Sequence, residues 1–392
     1  MIKAVFLDLD NTLLHNPDRG FAIEYLRLAD AYFSQHHGYT NFAETLRQTI
    51  PAIINSDAPS QSNHSVASNL LAEQFDVATA IIDQQLQSFY QTEFPKLKNC
   101  TASMSEAELL INLLNEHNYQ VVIATNPIYP AIAVQQRLNW AGISDQILDY
   151  AFVTHSQNMH FAKPRTEYYA ELLARVGVEP DETLMVGDSL KNDIVPAKTL
   201  GIHTFHISTH SEESNSGNLG RFIEKVKENW LETLNQKHLI ADAIIPQLRG
   251  NLGALFGLLE TVEPAYWLQQ PDPNEWSILQ ILCHLVDSEN SIQRPRIKQI
   301  LNQDTPFLVS PKPPIGADAV ICANNGFEVA NHFMAERMET IEFLNLLVED
   351  DWQKQARHSI FGMTNLLEMA HFTAQHDRLH LTQLCRTIGN CE

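Results

Sequence analysis

The sequence predicts an α/β core with a helical cap inserted after its first strand, followed by an all-α four-helix bundle. Three observations carry this. A short apolar run through Leu7 ends in two carboxylates two residues apart, Asp8 and Asp10, with Thr12 behind them. Two further runs, 119–125 and 183–187, read as buried parallel strands, one ending at Thr125 and the other at Gly187. After about residue 236 such runs cease, and four long amphipathic segments take over.

Alternate residues of a strand point the same way, so Asp8 and Asp10 leave the first strand together. Open α/β sheets place their ligands at that end. Two like charges that close need a cation or a proton between them. This suits a magnesium-assisted phosphoryl transfer, with one carboxylate attacking and the other shuttling the proton. The hydroxyl of Thr125 can donate to a phosphate oxygen. Lys163 is a compact cation able to neutralise a nucleophilic carboxylate and a phosphate. Pro164 presets the helix expected over 165–176. Gly187 lets the backbone approach closely, Asp188 completes an oxygen-rich magnesium site, and Asp193 braces Lys163 or a metal-bound water.

Taken in order, Asp8-x-Asp10-x-Thr12, Thr125, Lys163-Pro164 and Gly187-Asp188-x4-Asp193 resemble the four motifs of the haloacid dehalogenase superfamily of hydrolases. The resemblance covers roughly residues 1–210. It implies a Rossmann-like sheet and an aspartyl-phosphate intermediate. It also implies Asp8 as nucleophile, Asp10 as general acid/base, and Thr125 and Lys163 on the phosphoryl group. Mg2+ would be held by Asp8, the Asp10 carbonyl and Asp188, with Asp193 in support. Phosphatases of that family keep the second aspartate and dehalogenases lack it, so the resemblance implies a phosphatase. No lysine occurs between Leu14 and Glu93, where a phosphonatase would be expected to carry one.

The insert between the first two motifs, about residues 15–100, has helical apolar spacing in 22–29 and 76–82. The family places a cap there that closes over the site and selects the substrate. His36, His37, Arg47 and His64 are its candidate polar side chains.

The 392 residues suggest two or three domains, and the 44% hydrophobic share allows a sizeable core. With 26 basic and 47 acidic residues the formal charge is -21. Such a surface repels nucleic acid and anionic membranes. The expected partner is a small phosphorylated metabolite. The five cysteines form no C-x-x-C pair and read as thiols of a reducing compartment. No apolar stretch reaches about 18 residues, and no secretory signal opens the chain. A cytoplasmic location is expected.

Residues 211–236 read as a polar linker followed by a bridging helix over 222–234. In the segment 237–392, helices are expected over 239–262, 277–301, 327–348 and 364–387, with Ser277 as an N-cap and Pro295 kinking the second or ending it early. His376 and His380 lie four apart on an apolar face, the spacing of a helical metal site. His284 is the third ligand. Trp276-Ser277, His284-Leu285-x-Asp287 and His376-Asp377-Arg378-x-His380 resemble the DinB-like superfamily of metal-binding bundles, which implies a second divalent metal, Zn2+ or Ni2+, on His284, His376 and His380. Arg294 and Arg296 are either an anion subsite or surface charges.

The expected function is a Mg-dependent phosphatase of small phosphomonoesters, fused to a metal-binding bundle of transferase or hydrolase activity. The alternative makes the bundle a non-catalytic binding or dimerisation module, with a homodimer formed through it.

Overall fold

A computed structural model describes residues 1–16, 20–208, 214–234, 239–310 and 321–391. Contacts divide the chain into two compact units, Met1–Tyr169 with Pro180–Lys237, and Ala170–Glu179 with His238–Glu392.

The first unit is built on β1 (Ala4–Leu7), whose four side chains are all fully buried. A small ribbon follows, β2 (Leu14–His15) against β3 (Ala102–Ser103). The central sheet continues with β4 (Gln120–Ile123), β5 (Phe152–Val153), β6 (Thr183–Gly187), β7 (His203–Ile207) and β8 (Ser216–Gly217). It runs in the order β5-β4-β1-β6-β7-β8, and its pairings are parallel. Leu7 lies opposite Ile123 on one side and Val186 on the other. The three central strands therefore end level, and the residues after them share one rim.

Between β2 and β3 stands the cap: α1 (Gly20–His37), α2 (Phe42–Ile54), α3 (Asn63–Phe75) and α4 (Thr79–Thr92). Aromatic residues such as Phe33, Phe42 and Phe89 fill its separate core. The sheet is flanked by α5 (Ser105–Glu116), α6 (Ala131–Ala141), α8 (Val195–Thr199) and α9 (Leu219–Lys227), while α7 (Thr166–Val176) runs from the first unit into the second.

Two expectations change here. The stretch read as a linker and bridging helix contributes, among its described residues, β8 and α9. Leu219, Phe222, Ile223 and Val226 of α9 sit in the same core as Val5 and Val121. The helix read over 222–234 ends at Lys227, and a short 3-10 turn covers Trp230–Thr233. Residues 211–213 and 235–236 of that stretch lie outside the described residues. Polar composition marked a loop, but it could not show that two residues of it add an edge strand.

The second unit holds α10 (Ile244–Leu259), α11 (Ile278–Ser288), α12 (Arg294–Asn302), α13 (Gly326–Leu344) and α14 (Leu366–Cys391). The Ser277 hydroxyl accepts the Gln280 N–H at 3.3 Å, and the Gln280 side chain accepts the Ser277 N–H at 2.8 Å, closing a capping box at the start of α11. The helix expected over 277–301 is interrupted by a π turn at Glu289–Gln293, immediately before Pro295. Proline has no N–H to give the preceding turn, so a wider turn is tolerated there. The unit is not helices alone: β9 (Phe307–Leu308), β10 (Gln355–His358) and β11 (Gly362–Asn365) form a small sheet. These strands are two to four residues long, too short for periodicity to reveal.

The cysteine reading is also corrected. Cys283 and Cys322 are disulfide-bonded, with Cα atoms 5.7 Å apart across 39 residues of sequence. Cys100 and Cys385 are free thiols. Sequence spacing hid the pair because the fold, not a local motif, brings the middle of α11 to the segment before α13. A reducing compartment inferred from five thiols loses that support. No helix among the described residues is long and apolar enough to cross a membrane.

Candidate functional site

The rim above β1, β4 and β6 opens into a cavity of about 340 Å3. Asp8 follows β1 directly, and its N–H donates to the Val186 carbonyl at 2.9 Å. The chain then coils tightly. The N–H groups of Leu13 and Leu14 both donate to the Leu9 carbonyl at 2.9 Å, and Asn11 adopts φ +57°. Asparagine tolerates this left-handed backbone better than most residues. The coil turns the Asp10 side chain back toward the cavity that Asp8 lines.

Lys163 is buried and bridges two carboxylates, donating to Asp8 Oδ1 at 2.7 Å and to Asp193 Oδ1 at 2.6 Å. Asp193 Oδ2 accepts the Ser189 N–H at 3.0 Å. Asp8, Asp188 and Asp193 each offer an oxygen within 4.8 Å of the others. Gly187 makes room for this: a Cβ there would lie 2.7 Å from the Asp193 Cβ. Thr125 lies two residues past β4, and its buried hydroxyl has no hydrogen-bond partner in the protein. Of the six catalytic and magnesium candidates from the sequence, Asp8, Asp10, Lys163, Asp188 and Asp193 line the cavity, and Thr125 follows the neighbouring strand without lining it.

Sequence reasoning missed Arg137. It is carried by α6, its side chain is 1% exposed, and its Nη2 donates to Asp10 Oδ1. Asn16 Nδ2 donates to the same oxygen at 2.9 Å. Nε and Nη1 of Arg137 have no partner. No local pattern marks an isolated arginine on a helix, so the sequence carried no signal for it.

The electrostatics follow from this packing. Burial pushes the Asp8 carboxyl well up, against the pull of Lys163, and Asp193 and Asp10 add to the rise. Asp188 is pushed up to about 6 by burial and then by Asp193. Burial works to raise Asp10 too, but the Arg137 guanidinium and Asn16 overcome it and hold the carboxyl below the usual range. Burial works to lower Lys163, but Asp193 and Asp8 raise it well above an ordinary lysine, so it stays charged. The cavity lining carries four carboxylates, Asp8, Asp10, Asp188 and Asp193, against two cations, Lys163 and Arg137. Two negative charges are left over, and a divalent ion with oxygen ligands fits that balance.

The second cluster lies in the bundle. His284 on α11 and His376 and His380 on α14 present ring nitrogens within 4.8 Å of one another. Burial lowers all three, and neighbouring imidazoles lower His376 and His380 further, to about 3 and about 4. The rings are therefore neutral at pH 7, the form that ligates. His380 Nδ1 pairs with Gln383 Oε1 at 2.9 Å, which turns Nε2 inward. The Trp276 ring stacks on His380 at 6.0 Å. Among the described residues no fourth His, Cys, Asp or Glu joins the group. Arg294 is not an anion subsite, because Glu336 and Glu339 hold it. Arg296 is buried and donates to the Val309 carbonyl at 2.8 Å.

Residues 2–201 match the family model for haloacid dehalogenase-like hydrolases, and residues 247–384 match that of the DinB superfamily. The first match spans just over half of the 392 residues. The chain belongs to the haloacid dehalogenase-like hydrolases, and it is an enzyme of their phosphatase class. The glyceraldehyde 3-phosphate phosphatase of Methanothermobacter thermautotrophicus is 23% identical over 219 residues, 55% of this chain and 89% of that protein. The protein of the same name from Methanopyrus kandleri is 26% identical over 212 residues, 53% and 84% respectively. Among solved structures, a HAD phosphatase from Thermococcus onnurineus is similar with TM-score 0.38 and 19% identity, over 57% of this chain and 98% of that one. YfiT from Bacillus subtilis is similar with TM-score 0.33 and 17% identity, over 40% of this chain and 91% of that one.

Proposed function

We propose that the first unit hydrolyses small phosphomonoesters through a phosphorylated Asp8. The observation that carries this is the Lys163 bridge between Asp8 and Asp193, with Asp188 beside them. Asp8 attacks phosphorus in line with the ester oxygen, which leaves with the bonding electrons. Lys163 neutralises charge on Asp8 and the transferring group. Thr125 supplies a hydroxyl that no protein atom occupies. Mg2+ on Asp8, the Asp10 carbonyl and Asp188, with Asp193 in support, would offset the charge that builds on the phosphoryl oxygens. Asp10 is the acid/base. Its resting state, ionised beside Arg137, is the form that takes a proton from water when the aspartyl-phosphate is cleaved. In the first step Asp10 must enter protonated and hand that proton to the leaving oxygen, after which it is ionised beside Arg137 and ready to take the proton of the attacking water. Asp8→Asn removes the nucleophile and should lower hydrolysis of an aryl phosphate by more than about 1,000-fold in k at equal folding. Full activity in that variant rejects the mechanism.

The bundle is proposed to hold Zn2+ or Ni2+ on His284, His376 and His380 with an open fourth position, the arrangement of catalytic rather than structural sites. That openness favours a transferase or hydrolase over the alternative of a dimerising module. The partner is a small phosphorylated metabolite. A formal charge of -21 disfavours nucleic acid.

A further inference from the structure

A second cavity of about 440 Å3 lies between the cap helices α1–α4 and the core loops at 128–132 and 156–157. It shares Ala22, Ile128 and Tyr129 with the carboxylate-lined cavity, so the two are contiguous. Tyr129 stands at the junction. Its ring is 5.3 Å from the Arg137 guanidinium, which holds Asp10, and 5.4 Å from the Tyr25 ring.

The wall is apolar, with Leu26, Leu46, Leu71, Leu86 and Ile132 facing the space. Several of its polar groups are already engaged. The Tyr25 and Tyr90 hydroxyls bond at 2.7 Å. Asp83 takes the Ser68 hydroxyl at 2.6 Å and His64 at 3.0 Å. Arg47 is bound to Glu44 at 2.7 Å. Among the described lining residues no other lysine or arginine is present. Arg47, the one described arginine or lysine of this wall, is thus already paired, and a carboxylate or a second phosphate finds no unpaired guanidinium or ammonium there.

We infer that this cavity receives the alcohol part of the substrate, and that this part is uncharged and largely apolar. The inference rests on the phosphatase reading of the adjoining rim and adds the substrate class. A polar three-carbon group leaves the leucine and isoleucine faces of this wall uncovered and gives up water to lie against them. An alkyl or aryl group gains its full transfer free energy. The volume falls within the roughly 300–1,000 Å3 of pockets that hold ligands far larger than a triose.

The test uses the full chain with Mg2+ and a series of butyl, hexyl and octyl phosphate, with phenyl phosphate, glyceraldehyde 3-phosphate and phosphoglycolate beside them. Within the alkyl series kcat/KM is expected to rise by roughly fourfold per added methylene, and phenyl phosphate separates an aryl from an alkyl preference. Ala67→Phe, at a residue of the cavity wall, should raise KM for octyl phosphate at least about tenfold and affect butyl phosphate much less. On the unaltered protein, free 1-octanol should compete with octyl phosphate far better than 1-butanol does, which keeps the test independent of how the variant folds. Hydrolysis that is flat across chain length, or a preference for glyceraldehyde 3-phosphate over every alkyl and aryl ester, overturns this inference alone. Hydrolysis of none of the esters overturns the phosphatase reading and this inference with it.

Discussion

Replacing Asp10 by asparagine should destabilise the first unit more than replacing Arg137 by methionine. The two partners are unequally buried: the Arg137 side chain is 1% exposed and that of Asp10 is 36% exposed. Breaking a buried ion pair from one side costs about 3–5 kcal/mol, because the remaining charge is stranded. Asp10→Asn strands the guanidinium, whose Nε and Nη1 are already unpartnered. The amide keeps one acceptor for Nη2, so the cost falls to about 2–3 kcal/mol. Arg137→Met strands a carboxylate that is a third open to cavity water and still bonded to Asn16. Solvent screening reduces that cost to about 1 kcal/mol. The double variant should lie near the methionine variant alone, a coupling of about 2 kcal/mol. Asp10 is held below its unfolded range, so the pair contributes fully above about pH 4 and is lost as pH falls through the folded value. The cost of Asp10→Asn relative to the parent should therefore hold from pH 8 to 5 and close in stronger acid. Native-state hydrogen exchange of the β1 and β4 amides in the full chain reads this unit separately from the bundle. Equal costs for the two single variants, or strict additivity in the double, would refute the reasoning.

Gly187→Ala places a Cβ against Asp193, which must leave Lys163; kcat should fall by about 100-fold with little change in KM, and a rate within threefold of the parent excludes the bracing role. His376→Ala should remove about one equivalent of zinc or nickel per chain by elemental analysis and leave the phosphatase rate intact; unchanged metal content removes the bundle site. Because His376 and His380 are lowered to about 3 and about 4, zinc affinity between pH 7.5 and 5 should fall by no more than the protonation of one imidazole, His284. Three ordinary histidines would compete with up to three protons below about pH 6.5, and a loss that steep in a pH titration of zinc binding contradicts the depressed values. Depressed imidazoles also mean that the unfolded chain binds protons first, so the metal-free bundle should weaken as pH falls below 6.5.

The rim residues were legible because their signals are local. Asp8, Asp10 and Thr12 sit within five residues, Asp188 and Asp193 within six, and each group lies at the end of an apolar run. The histidines were legible because one helical turn links His376 to His380. Arg137 was not, since its role arises from α6 packing against a loop over 120 residues earlier. The paired Cys283 and Cys322 and the short strands β9–β11 were invisible for the same reason: tertiary contacts, not neighbouring residues, decide them. The cap was legible as helices, but the engaged state of Tyr25, Tyr90 and Asp83, which makes its wall apolar, is a property of packing alone.

The ribbon of β2 and β3 has a mechanical consequence. Leu14 pairs with Ser103 and His15 with Ala102, so the incoming and outgoing chains are laced together where they cross into the cap. Four helices thus hang from a single axle rather than from two independent tethers. At the far side a clasp fastens them: the buried Asn63 side chain donates to the carbonyls of Pro127 and Phe161, and the His64 N–H donates to Ser156. Any swing on that axle would have to break the Asn63 side-chain bonds together with the backbone bonds of Asn63 and His64.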